Sequence, residues 1–256
     1  MSYAHESNTA NCPLPTDHCL LNNMEAIVLA GGFGTRLKQV LNDRPKSMAL
    51  INGRPFLEYL LDFLLASGIT HTVLSVGYMH DLIMNHFGSR YRTMHIDYAV
   101  EEEPMGTGGG IRLALWKVKG MRAFALNGDS LFRVDLNKMM EAHTKKRADI
   151  SIALRELQNT SRYGRVKMNR SRRIEGFEEK QQDAGAGYIN GGIYIIEKVF
   201  LMEPEFRGRF SIEKDCFEHC CSTARLFGFP SKAYFLDIGI PETYKQAQDD
   251  FQRFAD

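Results

Sequence analysis

The chain has 256 residues, of which 44% are hydrophobic and 25% are charged. A chain of this length and composition can bury a full core, so we expect a globular protein. Its 32 basic and 31 acidic residues give a formal net charge of +1, and this balance predicts no nucleic-acid partner. No apolar run approaches the roughly 20 residues that span a bilayer, so no membrane role is predicted.

Residues 1–23 lack the basic start and apolar centre of a signal peptide, and we interpret them as a flexible extension before one domain at 24–256. The five cysteines, an odd number, favour reduced thiols and a cytoplasmic location. Cys216, His219, Cys220 and Cys221 lie close together in the sequence. Because they show no C-x-x-C spacing, a zinc site is not expected there.

Strand-like and helix-like stretches alternate over the first 130 residues. The apolar run EAIVLA at 25–30 predicts a strand, and residues 55–68, which open with proline and close with glycine, predict a helix. The other elements predicted here are strands at 71–78, 95–100 and 123–129 and helices at 79–88 and 109–118. This alternation predicts an α/β fold with a Rossmann-like, mostly parallel sheet flanked by helices.

The second half has a looser pattern. Stretches at 149–156, 163–169 and 173–179 predict strands joined by tight turns, and hence a smaller antiparallel portion over about 149–195. Helices are predicted at 210–221 and 241–254, with a strand at 233–239 between them.

The first strand runs into the glycine-rich loop LAGGFGTRL at 29–37. A dinucleotide fingerprint fails because Leu37 stands where its third glycine belongs, and a Walker loop fails because Arg36 stands at its second glycine. What remains is a glycine turn at the carboxyl end of a strand, where open α/β sheets bind ligands. Its free N–H groups and the Arg36 guanidinium suit a polyphosphate.

Further motifs follow this loop in a fixed order. They are RPKSM at 44–48, the glycine turn EEEPMGTGGG at 101–110, NGD at 127–129, FEEK at 177–180, YINGGIY at 188–194 and FLDIG at 235–239. Together with the loop, this set resembles the sugar-1-phosphate nucleotidylyltransferases over about residues 24–250. The resemblance implies their fold, in which the antiparallel portion binds the sugar, and it implies transfer of a nucleotidyl group from a nucleoside triphosphate to a sugar 1-phosphate.

The resemblance also implies roles for individual residues. Arg36 and Lys46 would bind the phosphates, and Asp129 and Asp237 would hold Mg²⁺, which prefers carboxylate and phosphate oxygens. The nucleotide-binding set implied is Leu29, Ala30, Gly31, Gly32, Gly34, Thr35, Glu101, Glu102, Pro104, Gly106 and Thr107. The sugar-phosphate set implied is Gly128, Gly164, Glu179, Lys180 and Asn190.

The base-binding position of the family falls at the start of EEEPMGTGGG, where Glu101 or Glu102 stands. A carboxylate only accepts hydrogen bonds, whereas guanine presents adjacent N1–H and N2–H₂ donors, so GTP is the favoured substrate. The phrases NGRPFLEYLL, FSIEKD and FLDIGIPETYKQAQDDF resemble the subgroup that guanylylates D-glycero-α-D-manno-heptose 1-phosphate and supplies GDP-heptose for surface polysaccharides.

Other interpretations stay open from the sequence. Guanylylation of mannose 1-phosphate, or uridylyl or thymidylyl transfer to a hexose 1-phosphate, would use the same motifs. A catalytically silent protein that binds nucleotide sugars is an alternative of another class. Apolar residues in 79–87 and in the C-terminal helix leave room for a homo-oligomer.

Overall fold

The computed structural model describes residues 24–32, 44–182 and 185–252. The extension at 1–23 and residues 33–37 of the predicted phosphate loop, with the predicted site residues Gly34, Thr35 and Arg36, lie outside the described residues. In the part that is described, no helix is long and apolar enough to cross a membrane.

The described residues form short strands and helices in alternation. The strands are β1 Glu25–Leu29, β2 Leu50–Ile51, β3 Arg54–Pro55, β4 His71–Val76, β5 Arg90–Tyr91, β6 Met94–Val100, β7 Arg122–Asn127, β8 Ser130–Phe132, β9 Ile150–Leu157, β10 Arg165–Met168, β11 Ile174–Glu178, β12 Gly187–Glu197, β13 Leu226–Ser231 and β14 Phe235–Asp237. The helices are α1 Phe56–Ala66, α2 His80–Phe87, α3 Gly106–Leu115, α4 Leu136–Lys146, α5 Lys198–Leu201, α6 Glu218–Cys220 and α7 Pro241–Gln252. A π-helical stretch, Ile212–Phe217, leads directly into α6.

One mixed sheet organises the fold. Its order is β11-β10-β12-β7-β1-β4-β6-β5, and β9 pairs with β12 and β13. The neighbours β7, β1, β4 and β6 are parallel, whereas β12 is antiparallel to β7 and to β9. The α/β prediction is therefore confirmed, and the antiparallel portion continues the same sheet through the β7–β12 pair. A separate two-stranded sheet pairs β8 with β14.

The sheet buries a cluster of apolar side chains on each face. In β1, Ala26 and Val28 point into one cluster together with α1 and α7, and Ile27 points into the other together with α3. Side chains of successive strand residues alternate between faces, so a strand covered by helices on both sides is apolar throughout. After Glu25, the run EAIVLA has this property, and the predicted strand is confirmed as β1.

Some elements differ from the sequence predictions. Helix α4 and strand β13 were not predicted, although Asp135 caps α4 by accepting a hydrogen bond from the Lys138 N–H at 3.0 Å. The stretch at 210–221 is π-helical before it becomes the short α6. Helix α3 begins at Gly106, three residues before the predicted start, because Gly108 packs where no side chain fits: a Cβ there would lie 2.1 Å from the Phe210 ring. Packing against Phe210 thus outweighs the poor helix propensity of glycine.

Candidate active site

A cavity of about 640 Å³ opens at the carboxyl ends of β1, β4, β6 and β7. This volume falls within the range of sites for small ligands and cofactors, and the position is the one at which open α/β sheets bind ligands. The described residues of the predicted nucleotide set all line it, as do Lys46, Gly128 and Asp129. The other lining residues are Ser47, Gly77, Tyr78, His80, Val100 and Asn127.

Two glycines bring β1 close to its neighbours at the edge of this cavity. A Cβ on Gly31 would lie 2.9 Å from the Gly77 nitrogen, and a Cβ on Gly128 would lie 2.3 Å from the Leu29 carbonyl oxygen. The Gly128 N–H donates to the same oxygen at 3.0 Å. Both positions therefore require glycine because the two backbones approach within the radius of a methyl group.

Lys46, Asp129 and Asp237 come together beside the cavity. The Lys46 ammonium donates to Asp129 Oδ2. The pairing of β8 with β14 places Asp237 opposite Ser130, and the Ile238 N–H donates to the Asp129 carbonyl at 2.9 Å. The ideal Cβ position of Gly239 lies 2.7 Å from Asp237 Oδ1 and 3.5 Å from Lys46 Nζ. Asp129, directly before β8, therefore pairs with Lys46, and Asp237 at the end of β14 lies close to this pair.

Lys46 is held by a 3-10 turn, Lys46–Met48, that follows Pro45. Ser47 in this turn is buried, and its hydroxyl lies 3.4 Å from the Ala30 carbonyl oxygen of the phosphate loop. The Lys46 side chain is only 16% exposed. Its charge is therefore fixed next to Asp129 rather than free in solvent.

Tyr163 orients the second carboxylate. Its hydroxyl donates to Asp237 Oδ2 at 2.5 Å, and the Gly239 N–H donates to Oδ1 of the same carboxylate at 3.0 Å. Burial, with a further contribution from the neighbouring Asp237 charge, raises the pKa of Tyr163 well above its usual range. The phenol therefore stays protonated and acts as a permanent donor to Asp237.

Glu101 turns its carboxylate toward the floor of the cavity. Oε1 accepts a hydrogen bond from the Ser75 hydroxyl at 3.0 Å, and Oε2 accepts one from the Met105 N–H at 3.0 Å. Each oxygen retains a second lone pair that can accept a further hydrogen bond. Glu102, the alternative base-binding residue, is exposed at the rim.

A chain of hydrogen bonds links Thr107 in the cavity lining to Asn190 of β12. The Thr107 hydroxyl donates to Glu213 at 2.9 Å, and Glu213 also accepts from the hydroxyl of buried Tyr194 at 3.1 Å. The amide of Asn190 donates to the same Tyr194 hydroxyl at 2.9 Å, and its oxygen accepts from the Gly192 N–H at 2.8 Å. Thr107 and Asn190 are therefore both held by contacts inside the protein.

The predicted sugar-binding residues of the β10–β11 region lie apart from the cavity lining. Glu179 is 83% exposed and faces Lys214 at 4.0 Å, and Lys180 is also exposed. Gly164 packs against the hairpin, since a Cβ there would lie 2.8 Å from the Glu178 carbonyl oxygen. Glu178 pairs with Arg165 and Lys167 within the hairpin.

Sequence reasoning missed several residues of the site, and four of them bear on its chemistry: Tyr78, Asn127, Tyr163 and Glu213. Tyr78 and Asn127 follow or end strands at the ligand-binding edge, and this position alone would have suggested them. Asn127 Oδ1 is buried and has no hydrogen-bond partner among the described residues, so a ligand hydroxyl is a natural donor to it. Tyr163 contacts Asp237, 74 positions away, and Glu213 contacts Thr107, 106 positions away. No local sequence signal reveals such pairs.

The mostly parallel sheet and the cavity at the carboxyl ends of its central strands define an α/β protein with a ligand-sized site at the usual position of such folds. Residues 25–253 match the model of the nucleotidyl transferase family, and the chain belongs to this family. It is 42% identical over 231 residues to the D-glycero-alpha-D-manno-heptose 1-phosphate guanylyltransferase of Aneurinibacillus thermoaerophilus, which covers 90% of this chain and 100% of that protein.

Two further similarities fit this assignment. The crystal structure of HddC from Yersinia pseudotuberculosis complexed with GMP-PN superposes with a TM-score of 0.80 at 34% identity, over 89% of this chain and 99% of that one. The mannose-1-phosphate guanylyltransferase of Mycobacterium tuberculosis is 31% identical over 91% of this chain and 66% of that protein. These matches confirm the family and the subgroup that the motifs indicated.

Proposed function

We propose that this protein transfers GMP from GTP to D-glycero-α-D-manno-heptose 1-phosphate, giving GDP-heptose and pyrophosphate. The observation that carries the proposal is the meeting of Lys46, Asp129 and Asp237 beside a nucleotide-sized cavity. In-line attack of a sugar phosphate on an α-phosphate joins two anions, so catalysis consists mainly of positioning and charge neutralisation. An ammonium paired with one carboxylate and lying near a second suits that task.

The donor set also fits Mg²⁺. Asp129 and Asp237 offer carboxylate oxygens from adjacent strands, which are the hard ligands that this ion takes together with phosphates and water. Bound there, Mg²⁺ would neutralise charge on the triphosphate. Lys46 would bind next to the α-phosphate, and Tyr163 would keep Asp237 oriented.

Arg36, with Gly34 and Thr35, belongs to the proposal as the clamp of the leaving pyrophosphate. A guanidinium presents planar paired donors to phosphate oxygens. These three residues lie outside the described part of the chain, and the proposal for them rests on the motif that joins them to Gly31 and Gly32.

Glu101 is the residue that we assign to guanine. Ser75 and Met105 hold its carboxylate at the cavity floor, next to the glycine turn. A fixed acceptor pays less entropy on binding a base than the solvated carboxylate of Glu102 does. We therefore expect Glu101→Gln to reduce the preference for GTP over UTP at least about tenfold, and Glu102→Gln serves as the matched control. A GTP preference that survives in both variants would contradict this role.

The sugar 1-phosphate is assigned to the side of β7, β11 and β12. Gly128 and Asn190 would contact it there, and Glu179 and Lys180 would reach it from the hairpin, with Gly164 allowing a close backbone approach. Because Glu179 and Lys180 are exposed, we expect this hairpin to move toward the cavity when the sugar binds. Asn127 Oδ1, buried and free to accept a hydrogen bond, is a further hydroxyl contact on this side.

Mannose 1-phosphate is the second candidate acceptor, since the M. tuberculosis relative shares the fold over most of this chain. Uridylyl or thymidylyl transfer to a hexose 1-phosphate would use the same catalytic groups with another base. A catalytically silent protein that binds nucleotide sugars remains the alternative of a different class. The presence of Arg36, Lys46, Asp129 and Asp237 argues against it, because drift to a silent protein is expected to change the least replaceable residues first.

The test is pyrophosphate release with Mg²⁺, crossing GTP, ATP, CTP, UTP and dTTP with the 1-phosphates of heptose, mannose, glucose and N-acetylglucosamine. We expect turnover with GTP and heptose 1-phosphate and its loss in Asp129→Ala. Turnover confined to another pair would keep the reaction and refute the specificity. Release with no pair, in protein that still binds GDP-heptose, would favour the silent alternative.

We further infer that the protein works in the cytoplasm, where GTP is available, and that its product feeds surface polysaccharide synthesis. The near-neutral formal charge supports a role without nucleic acid or membrane partners. A homo-oligomer is compatible with the exposed Leu82 of α2. Cell fractionation and the loss of heptose from surface polysaccharide in a deletion strain would test these points.

A further inference from the structure

A second group of ionisable side chains lies at the amino ends of the parallel strands, whereas the cavity lies at their carboxyl ends. Glu25, His71 and His95 stand near the amino ends of the parallel neighbours β1, β4 and β6, and the strand register pairs Glu25 with His71 and His71 with His95. Asp97 follows His95 by two residues and shares its face of the sheet. The five residues of β1 separate this group from the glycine turn by about 13 Å.

His71 is the centre of the group. Its Nδ1 lies 2.5 Å from Glu25 Oε1, and its Nε2 lies 3.0 Å from Asp97 Oδ2. The His95 ring meets the His71 ring edge-on, with centroids 5.5 Å apart and an interplanar angle of 74°. Ligand atoms of His71, His95 and Asp97 all lie within 4.8 Å of one another.

Glu25 has the arrangement of an outer partner to a metal-bound histidine. It is buried, and its carboxylate accepts hydrogen bonds from the Lys119 N–H at 3.1 Å and the Gly120 N–H at 2.5 Å. The third neighbour of this carboxylate is His71 Nδ1. A histidine that binds a metal through one nitrogen commonly donates its other N–H to such a carboxylate, which fixes the tautomer and the ring orientation.

This geometry leaves one nitrogen to be explained. If Nδ1–H donates to Glu25, then Nε2 of neutral His71 carries a lone pair that faces the Asp97 carboxylate, and two acceptors cannot bond each other. A cation between them resolves the conflict. That cation is either a proton on Nε2 or a metal ion. The second imidazole, His95, favours a metal ion, because a proton shared by His71 and Asp97 would not involve His95.

We propose that His71, His95 and Asp97 bind a divalent transition metal ion of the zinc type, with Glu25 holding His71 in the binding tautomer. Two imidazoles and one carboxylate form a three-ligand set for tetrahedral Zn²⁺, with water at the fourth position. The nitrogen ligands make it a poor Mg²⁺ site. This site is thus distinct in chemistry and place from the proposed Mg²⁺ ligands Asp129 and Asp237.

The metal would stabilise the sheet at the amino ends of β1, β4 and β6. It would bind β4 to β6 directly, and through Glu25 it would connect them to β1 and to the 119–120 backbone. Because an ion that binds only the folded state stabilises it by mass action, Zn²⁺ should raise the melting temperature in a concentration-dependent way. The effect needs neither GTP nor sugar phosphate.

The test is titration of the chelator-treated full-length protein with Zn²⁺, followed by calorimetry and thermal unfolding, with Mg²⁺ as the comparison ion. We expect saturable one-to-one Zn²⁺ binding, loss of that binding in His95→Ala and affinity at least about tenfold lower in Asp97→Asn. Glu25→Gln, which keeps every direct ligand, should weaken binding about 10- to 100-fold. His86→Ala is the matched control, since His86 is an exposed histidine paired with Glu58 outside the group.

The visible absorption spectrum of Co²⁺ bound in place of Zn²⁺ identifies the type of ligand atoms at the site. We expect visible bands of a tetrahedral site with nitrogen and oxygen ligands, absent in His95→Ala and kept in His86→Ala. A thiolate-to-cobalt band would assign the metal to cysteines such as Cys220 and Cys221 and overturn the proposal. Unchanged Zn²⁺ affinity in His95→Ala would also overturn it, as would no Zn²⁺ binding together with NMR evidence that His71 carries protons on both nitrogens.

Discussion

Replacing Gly128 with alanine should move the proposed metal ligand Asp129 without removing it. The added methyl would lie 2.3 Å from the Leu29 carbonyl oxygen and 3.0 Å from its carbonyl carbon, whereas ordinary contacts of a Cβ begin at 3.4 Å. Both neighbours are backbone atoms of a central strand, so no side chain can swing away. The ends of β1 and β7 must therefore separate by about 1 Å, since overpacked cores relieve such clashes through backbone shifts.

The magnitude of the effect follows from this displacement. Overpacking of this kind costs about 1–3 kcal/mol of unfolding free energy. The shift also lengthens the 3.0 Å hydrogen bond from the Gly128 N–H to Leu29 and carries Asp129, the next residue, with it. A misplacement of about 1 Å of catalytic groups lowers turnover by about 100-fold.

The assay compares urea denaturation and pyrophosphate release for Gly128→Ala and for Gly176→Ala. Gly176 is the matched control, because a Cβ at this strand position meets no heavy atom within 4 Å. We expect Gly176→Ala to keep wild-type turnover. Wild-type stability and turnover in Gly128→Ala would refute the reasoning. They would mean that the ends of β1 and β7 can separate without an effect on the free energy of unfolding or on catalysis.

Three further predictions concern charged and buried polar groups. Asp129→Asn should lower kcat/KM at least about 1,000-fold, because a metal ligand supplies several kcal/mol of transition-state stabilisation, while thermal unfolding shows little change. Tyr163→Phe should raise the Mg²⁺ concentration needed for half-maximal turnover about 10-fold or more, since Asp237 loses its 2.5 Å donor. Burial lowers the pKa of His143, which lies 2.9 Å from Ser151 Oγ and 3.0 Å from Glu197 Oε1. The folded state thus resists protonation more than the unfolded state, so stability should fall as the pH drops below about 6.5, and His143→Gln should flatten this part of the denaturation profile.

Each of these predictions has an outcome that contradicts it. Asp129→Asn with turnover within tenfold of wild type would exclude a metal-binding role for this residue. Tyr163→Phe with a normal Mg²⁺ requirement but reduced stability would make Tyr163 only structural. For His143, an unchanged slope of stability between pH 7 and pH 5 in the variant would show that other groups carry the pH dependence. Burial is the main cause of the lowered pKa of His143; the Arg122 charge also lowers this pKa, whereas Glu197 and Asp149 raise it.

The sequence predicted the parallel half of the fold well, because β1 is a short apolar run and β4 is a short stretch bounded by turn residues, and both are buried. Helix α1 was equally clear, since Leu57, Leu60, Leu61 and Leu64 recur at helical spacing and are fully buried. The missed helix α4 carried a signal of the same kind. Its buried Leu136, Met139, Met140 and His143 follow an Asp135 cap, but the polar residues between them masked the period.

Strand β13 was harder to predict, because LFGFPS contains both glycine and proline. A Cβ on Gly228 would lie 2.5 Å from the Leu154 side chain. Only the tertiary structure shows that this position requires glycine. The same limit applies to the site. The resemblance of the motifs predicted that Lys46, Asp129 and Asp237 belong to one site. The hydrogen-bond partners that orient Asp237 and Thr107, namely Tyr163 and Glu213, depend on long-range packing.

The central claim is that the site at Lys46, Asp129 and Asp237 guanylylates a heptose 1-phosphate. The most direct measurement is one competition reaction in which GTP, ATP, CTP, UTP and dTTP are present at equal concentration with Mg²⁺ and heptose 1-phosphate, and the products are identified by mass. GDP-heptose should form as the dominant nucleotide sugar, together with an equal amount of pyrophosphate. A different nucleotide in the product, or no nucleotide sugar from protein with an intact fold, would contradict the claim.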